Sequence, residues 1–155
     1  YYPDMQRCTC TSAAINRYLR KISRPLLDRI DICVEVPPIG FKDLYNTGKS
    51  ERSEEIRKRV IRTQEIQKMR YCGEEFCFNS HIPSSKIFEY CKLDKKQETY
   101  MERVYNKLNL TARTYHKILR VARTLADMEE SEQIKMRHLN EAICYRNIDK
   151  KFWEV

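Results

Sequence analysis

The sequence predicts a mainly α-helical protein: a small helical bundle preceded by a single strand whose sheet partners lie elsewhere. Three observations point there. The 155 residues hold only three glycines and five prolines, so few tight turns interrupt the chain. Apolar residues recur at helical spacing in three successive stretches of the C-terminal part. Only Asp31-Ile32-Cys33-Val34-Glu35-Val36 reads as a β-rich run, and Pro37-Pro38 stops it.

Residues 11–22 place Ile15, Leu19 and Ile22 on one helical face, with Thr11 or Ser12 available as N-cap. Pro25 interrupts, and Pro25-Leu26-Leu27-Asp28-Arg29 reads as a short turn or helical end. A lone strand over 31–36 is unstable by itself, so it is expected to pair with strands outside this chain. Residues 39–52 read as loop. A charged helix is expected over 53–69, with the cations Arg57, Lys58, Arg59, Arg62, Lys68 and Arg70, and Cys72-Gly73 ends it. Pro83 suits the first position of a helix running to about Cys91. Asp94 and Gln97 then form a capping-box pattern ahead of Met101, Val104, Tyr105 and Leu108. Thr111 can cap the next helix, with Leu110 and Tyr115 spaced as a hydrophobic staple. Its apolar stripe is Tyr115, Ile118, Leu119, Ala122, Leu125 and Ala126. The last helix, 136–146, carries Leu139, Ala142 and Ile143. Packing these three stripes together is the natural way to bury them.

Composition narrows the function. Thirty Lys and Arg against 22 Asp and Glu leave a net charge of +8, which suits either anionic partners such as nucleic acid, nucleotide or an acidic protein face, or a soluble domain that is merely basic. No apolar run approaches the roughly 18 residues that span a bilayer, and no signal-peptide pattern opens the chain. Seven irregularly spaced cysteines argue against a secreted disulfide framework and for a reducing cytoplasm. Tyr1-Tyr2-Pro3-Asp4 reads like the middle of a loop, so the chain is expected to be part of a longer protein.

Catalytic patterns are sparse. Gly48-Lys49-Ser50 ends like a phosphate-binding loop, but Asp43 stands where that pattern needs glycine, and no strand feeds into it. Without the glycines the backbone amides cannot wrap a phosphate, so the segment reads as an ordinary loop. His81, His116 and His138 show no metal-ligand spacing and read as surface or boundary residues. The basic stretch 57–70 could follow a phosphate backbone. The interspersed Glu54, Glu55 and Glu65 favour instead a solvated helix with internal ion pairs.

Specific blocks carry more information. Ile22-Ser23-Arg24-Pro25-Leu26-Leu27-Asp28-Arg29-Ile30-Asp31-Ile32 resembles a segment of the magnesium-chelatase-like AAA+ ATPases of the ComM/YifB type, with Arg24 where that family usually has glycine. Tyr1-Tyr2-Pro3-Asp4 with Cys8-Thr9-Cys10 resembles half of the family's cysteine element. The run from Leu110 through Tyr115-His116-Lys117-Ile118-Leu119-Arg120 to Asp127 resembles a helix near its C-terminus, and Glu141-Ala142-Ile143-Cys144-Tyr145-Arg146 its close. The blocks agree in order across nearly the whole chain.

The resemblance implies the C-terminal part of an AAA+ motor: residues 1–38 end the α/β core, 39–92 form a charged helical linker region, and 93–155 are the helical lid. Walker A, Walker B and sensor 1 would precede Tyr1, so ATP and Mg²⁺ would serve the full-length protein and this chain alone would not hydrolyse ATP. Matching the blocks residue by residue puts Arg29 at the arginine finger, which reaches the nucleotide of a neighbouring subunit. The plainer role for Arg29 is a helix-end arginine paired with Asp28 or Asp31. Arg113 falls at sensor 2, with Arg120 as runner-up. Cys8 and Cys10 would be half of a zinc site, since structural zinc takes four ligands and the other cysteine pair of the family lies before Tyr1. The implied partners are further copies in a ring, expected hexameric, and DNA. Alternatives are an ATPase that assists Mg²⁺ insertion into a porphyrin, and a helical DNA- or protein-binding module without a motor.

Overall fold

The computed structural model describes residues 8–36, 39–41, 45 and 50–153. The Tyr1-Tyr2-Pro3-Asp4 block, Pro37-Pro38 and the Gly48-Lys49 pair lie outside them. Thr11 caps helix α1, Ser12–Leu19, its Oγ1 accepting the Ala14 N–H at 3.3 Å. The helix stops three residues short of Ile22 and buries none of its residues. A single turn follows, α2, Arg24–Leu27, of which Leu27 is buried.

The strand expected over 31–36 does not form, and no strand is present among the described residues. A β-rich sequence becomes a strand only when a second backbone completes its ladder. Here Cys33 N–H donates instead to the Tyr145 carbonyl of a helix at 3.0 Å. Tyr18, Ile22, Leu26, Ile30, Ile32 and Val34 stay exposed, so this N-terminal segment presents several large apolar side chains to solvent.

Helix α3, Ser53–Arg70, matches the charged helix of the sequence. Its only buried residues are Thr63 and Gln67, both polar, while Ile56, Val60 and Ile61 are exposed. Gly73 beyond it has φ +91°, a conformation that costs a glycine little. Pro83 precedes rather than opens the next helical piece, because its ψ of 151° is extended. That piece splits into a 3₁₀ turn, Ser84–Lys86, and α4, Ile87–Tyr90.

Three capped helices then build the bundle. Both bonds of the capping box start α5, Lys95–Lys107: Gln97 N–H donates to Asp94 Oδ1 at 2.8 Å and Asp94 N–H to Gln97 Oε1 at 2.9 Å. Asn109, at φ 44°, turns the chain into α6, Ala112–Met128, which Thr111 caps through the Thr114 N–H. Helix α7, Met136–Trp153, runs beyond the expected end at 146. It is α6 that packs on both α7 and α3. Ile118, Leu119, Ala122 and Ala126 of α6 meet Leu139, Ala142 and Ile143 of α7 and Met101 of α5. Tyr71, Phe76, Ile82, Ile87 and Cys91, from the expected linker region, join the same cluster. Each fully buried aliphatic side chain contributes about 1.5–3 kcal/mol.

His138 departs from its expected boundary position: it is 1% exposed. Its Nδ1 accepts the Lys135 N–H at 3.0 Å, which leaves Nε2 to donate to Glu129 at 2.9 Å. The imidazole thus caps the start of α7 and ties it to the end of α6.

A buried polar cluster joins α3 to the bundle. Asp127 is 1% exposed and is bound by Arg70 of α3 and by Arg123 one turn back on α6. Asn79 Nδ2 donates to Asp127 at 2.8 Å and to Thr124 at 3.0 Å, and its backbone N–H donates to Gln67 Oε1 at 3.0 Å. Tyr71 O–H donates to Asn79 Oδ1 at 2.5 Å. Arg123 also donates to the Ser131 and Glu132 carbonyls. Truncating one partner of such a pair leaves a buried charge unmatched, so Asp127→Ala should destabilise by about 3–5 kcal/mol and release α3. Chemical denaturation with hydrogen exchange on α3 checks this. Burial pushes the Cys91 thiol up to about 12. In the native protein Cys91 should resist a thiol-reactive dye at neutral pH while the exposed Cys10, Cys72, Cys77 and Cys144 react, and unfolding should add its label.

Candidate functional site

The turn bearing Arg29 is held by the bundle on three sides. Arg146, 6% exposed on α7, donates through Nη1 to the Leu27 carbonyl at 3.3 Å and to the Ile30 carbonyl. Thr114, in the first turn of α6, donates to Asp28 Oδ1 at 3.0 Å, and its own hydroxyl accepts from the capping Thr111 at 3.1 Å. Lys117 Nζ pairs with Asp31 at 2.9 Å. With the Cys33–Tyr145 backbone bond, these contacts fix both flanks of Arg29 to α6 and α7.

Arg29 itself is exposed and forms no ion pair or side-chain hydrogen bond among the described residues. The carboxylates that could have neutralised it locally are engaged elsewhere: Asp28 with Thr114 and Arg113, Asp31 with Lys117. The guanidinium is permanently charged, planar and able to donate two parallel hydrogen bonds, so an exposed one is suited to phosphate or carboxylate oxygens.

Arg113 occupies the second position of α6, is 63% exposed at its side chain, and lies 4.0 Å from Asp28. A cation at a helix N-terminus opposes the macrodipole. Asp28 offsets that, because its carboxylate sits against the same first turn. The fold therefore brings Arg29 and Arg113 to either side of one carboxylate, Arg29 by sequence and Arg113 in space. Arg120 is placed differently. It is half-buried and its Nη2 donates to the Ile82 carbonyl at 2.6 Å, which commits it to the bundle.

Cys8 is half-buried, Cys10 is exposed, and neither forms a disulfide. Two thiols supply half of a tetrahedral zinc set. Among the described residues no group of three or more Cys, His, Asp or Glu could hold a metal ion. Nor is any helix among them long and apolar enough to cross a membrane.

Sequence reasoning missed Asp28, Thr114, Lys117 and Arg146 as the contacts that hold the turn. Arg146 had a signal in the Tyr145-Arg146 close of the last block, but nothing local shows that it reaches back more than a hundred residues. If the clasp holds the turn, Arg146→Met should speed hydrogen exchange at the amides of Arg29, Ile30 and Cys33 well before those of α6 change. Exchange mass spectrometry on the variant checks this.

Most of the sequence matches known proteins. A family profile described as "Magnesium chelatase, subunit ChlI C-terminal" matches residues 50–146, and one described as "Magnesium chelatase, subunit ChlI" matches residues 1–44. The competence protein ComM of Haemophilus influenzae is 42% identical over 133 residues, covering 85% of this chain and 25% of that protein. The YifB proteins of Salmonella typhimurium and Escherichia coli are 36% and 34% identical over 143 residues, covering 91% of this chain and 27% of each. The chain thus spans about a quarter of the length of these relatives. It belongs to the magnesium-chelatase-like family of ComM and YifB, and it matches the C-terminal region of that family.

Proposed function

We propose that this chain is the lid and arginine-bearing end of an ATP-driven motor that assembles as a ring, expected hexameric, and acts on DNA. One observation carries the reading: Arg29 is exposed and has no ion pair or side-chain hydrogen bond among the described residues, while the acids on either side of it are tied to the lid helices. An arginine presented in that way can complete a nucleotide site on a neighbouring subunit. There it would donate to the phosphate oxygens as negative charge develops on them. ATP with Mg²⁺ would supply the phosphoryl group and its bridging cation; the residues of this chain would orient and neutralise.

Arg113 serves as sensor 2 in this reading, and its pairing with Asp28 supplies the mechanical link. When Arg113 turns to a phosphate it loosens its hold on the carboxylate beside Arg29, so nucleotide state and finger position are coupled through one side chain. The commitment of Arg120 to the Ile82 carbonyl supports Arg113 over Arg120 in this role. The exposed apolar residues from Tyr18 to Val34 suit a surface covered by the rest of the ATPase core or by the next subunit.

The matched profile's own description favours a second reading, an ATPase that assists insertion of Mg²⁺ into a porphyrin. ATP turnover by the full-length protein, with and without branched DNA, separates the two. Stimulation by DNA supports the motor, whereas turnover indifferent to DNA and raised by a porphyrin-loaded partner supports insertion. In that protein, Arg29→Ala should lower turnover by roughly 10³-fold and leave ATP affinity within a few-fold. Unchanged turnover would remove Arg29 from the catalytic role.

A further inference from the structure

We propose that the outer face of α5 is a nucleic-acid surface that grips a single strand by its phosphates. At 100° per residue, Lys95, Lys96, Thr99, Tyr100, Arg103 and Lys107 fall on one side of this helix. Gln97, Met101, Val104 and Leu108 point the opposite way, toward the core. Glu98 and Glu102 lie on the flank between. The cationic face runs about 18 Å from Lys95 to Lys107 at 1.5 Å per residue.

What sets this face apart is that its charges are unspent. None of Lys95, Lys96, Arg103 and Lys107 forms an ion pair among the described residues, and all are exposed. Helix α3, the more basic stretch by sequence, behaves in the opposite way. There Lys58 pairs with Glu55, Arg59 with Glu51, Arg62 with Glu130 and Arg70 with Asp127, so most of its positive charge is neutralised within the fold. Among the described residues α3 leaves only Arg57 and Lys68 unpaired, and a ligand using its other cations would have to break these contacts.

Shape and chemistry on α5 point to a nucleic-acid strand. Lys95, Lys96, Thr99, Tyr100 and Arg103 line a concavity of about 420 Å³. Tyr100 packs partly against the core and also lines this concavity beside the cations; cations that track phosphates next to an aromatic side chain are the combination by which single strands are held. Lys96 also borders an adjoining cavity of mixed charge, where Glu89, Asp94 and Glu132 stand beside Lys92 and Lys135.

The proposal deepens the DNA half of the reading above. Its test uses this chain without nucleotide, so it can fail while ATP turnover succeeds, and the reverse. The measurement is fluorescence anisotropy of a labelled single-stranded oligonucleotide titrated with the protein across a salt series. Lys96→Gln with Arg103→Gln should weaken binding about tenfold or more and reduce the log–log salt slope by roughly 1.4. Arg57→Gln with Lys68→Gln removes the same charge from exposed cations of α3 and should leave affinity within about twofold. Tyr100→Leu should weaken single-strand binding several-fold more than duplex binding, with Tyr100→Phe restoring it. Absence of binding by the unaltered chain would overturn the proposal, as would equal losses from the α5 and α3 pairs. So would a requirement for Lys96 and Arg103 seen only with phosphatidylserine vesicles.

Discussion

Asp127 is buried, negative and held by two arginines, and the architecture depends on how that charge is matched. A carboxylate removed from water is costly unless its oxygens are fully hydrogen-bonded. Arg123 and Asn79 meet that need from within the bundle, and Arg70 meets it from α3. The geometry admits one placement of α3, because a guanidinium that bonds both carboxylate oxygens fixes angle as well as distance. Apolar burial could not have done this, since Thr63 and Gln67 are the residues that α3 buries. Specificity in this part of the molecule is polar, while the α5–α6–α7 contact is an ordinary aliphatic core.

The same logic, in a weaker and more exposed form, governs the N-terminal segment. Residues 24–33 have no sheet and little core of their own, with Leu27 alone buried among those described. They are held by Arg146 on two backbone carbonyls, by Thr114 on Asp28 and by Lys117 on Asp31. A turn held by a few polar contacts is stable enough to present a side chain and loose enough to respond when one contact is competed away. Such a segment belongs to the low-stability end of a structure, where moving parts are found. The bundle thus acts as a rigid base for Arg29, with Arg113 at its edge.

Charge follows a related division. The strongly basic α3 spends three of its four arginines on Glu51, Glu130 and Asp127, and these pairs serve the fold. Helix α5, whose basic residues are less conspicuous, keeps them exposed and unpaired among the described residues, on the side away from the core. Net charge alone therefore says little about where an anion would bind; what matters is which cations lack internal partners.

The sequence by itself determined the helices, their caps and the apolar faces they bury. The Asp94–Gln97 box, the Thr111 cap and the stripes of α5 to α7 are local, because hydrogen bonds over three residues and a 3.6-residue period depend on nothing distant. Its blocks also identified the family. Tertiary structure decided the rest. Whether residues 31–36 form a strand depends on a second backbone, and the helix-borne Tyr145 carbonyl took the Cys33 N–H instead. The buried position of His138 depends on Glu129 and the Lys135 backbone arriving together. Arg120 and Arg113 look alike on one helix, yet only contact with the Ile82 carbonyl and Asp28 distinguishes a structural arginine from an exposed one. In each case the deciding partner is remote in sequence or set by the fold around it, and periodicity and capping rules carry no information about which long-range pairs will meet.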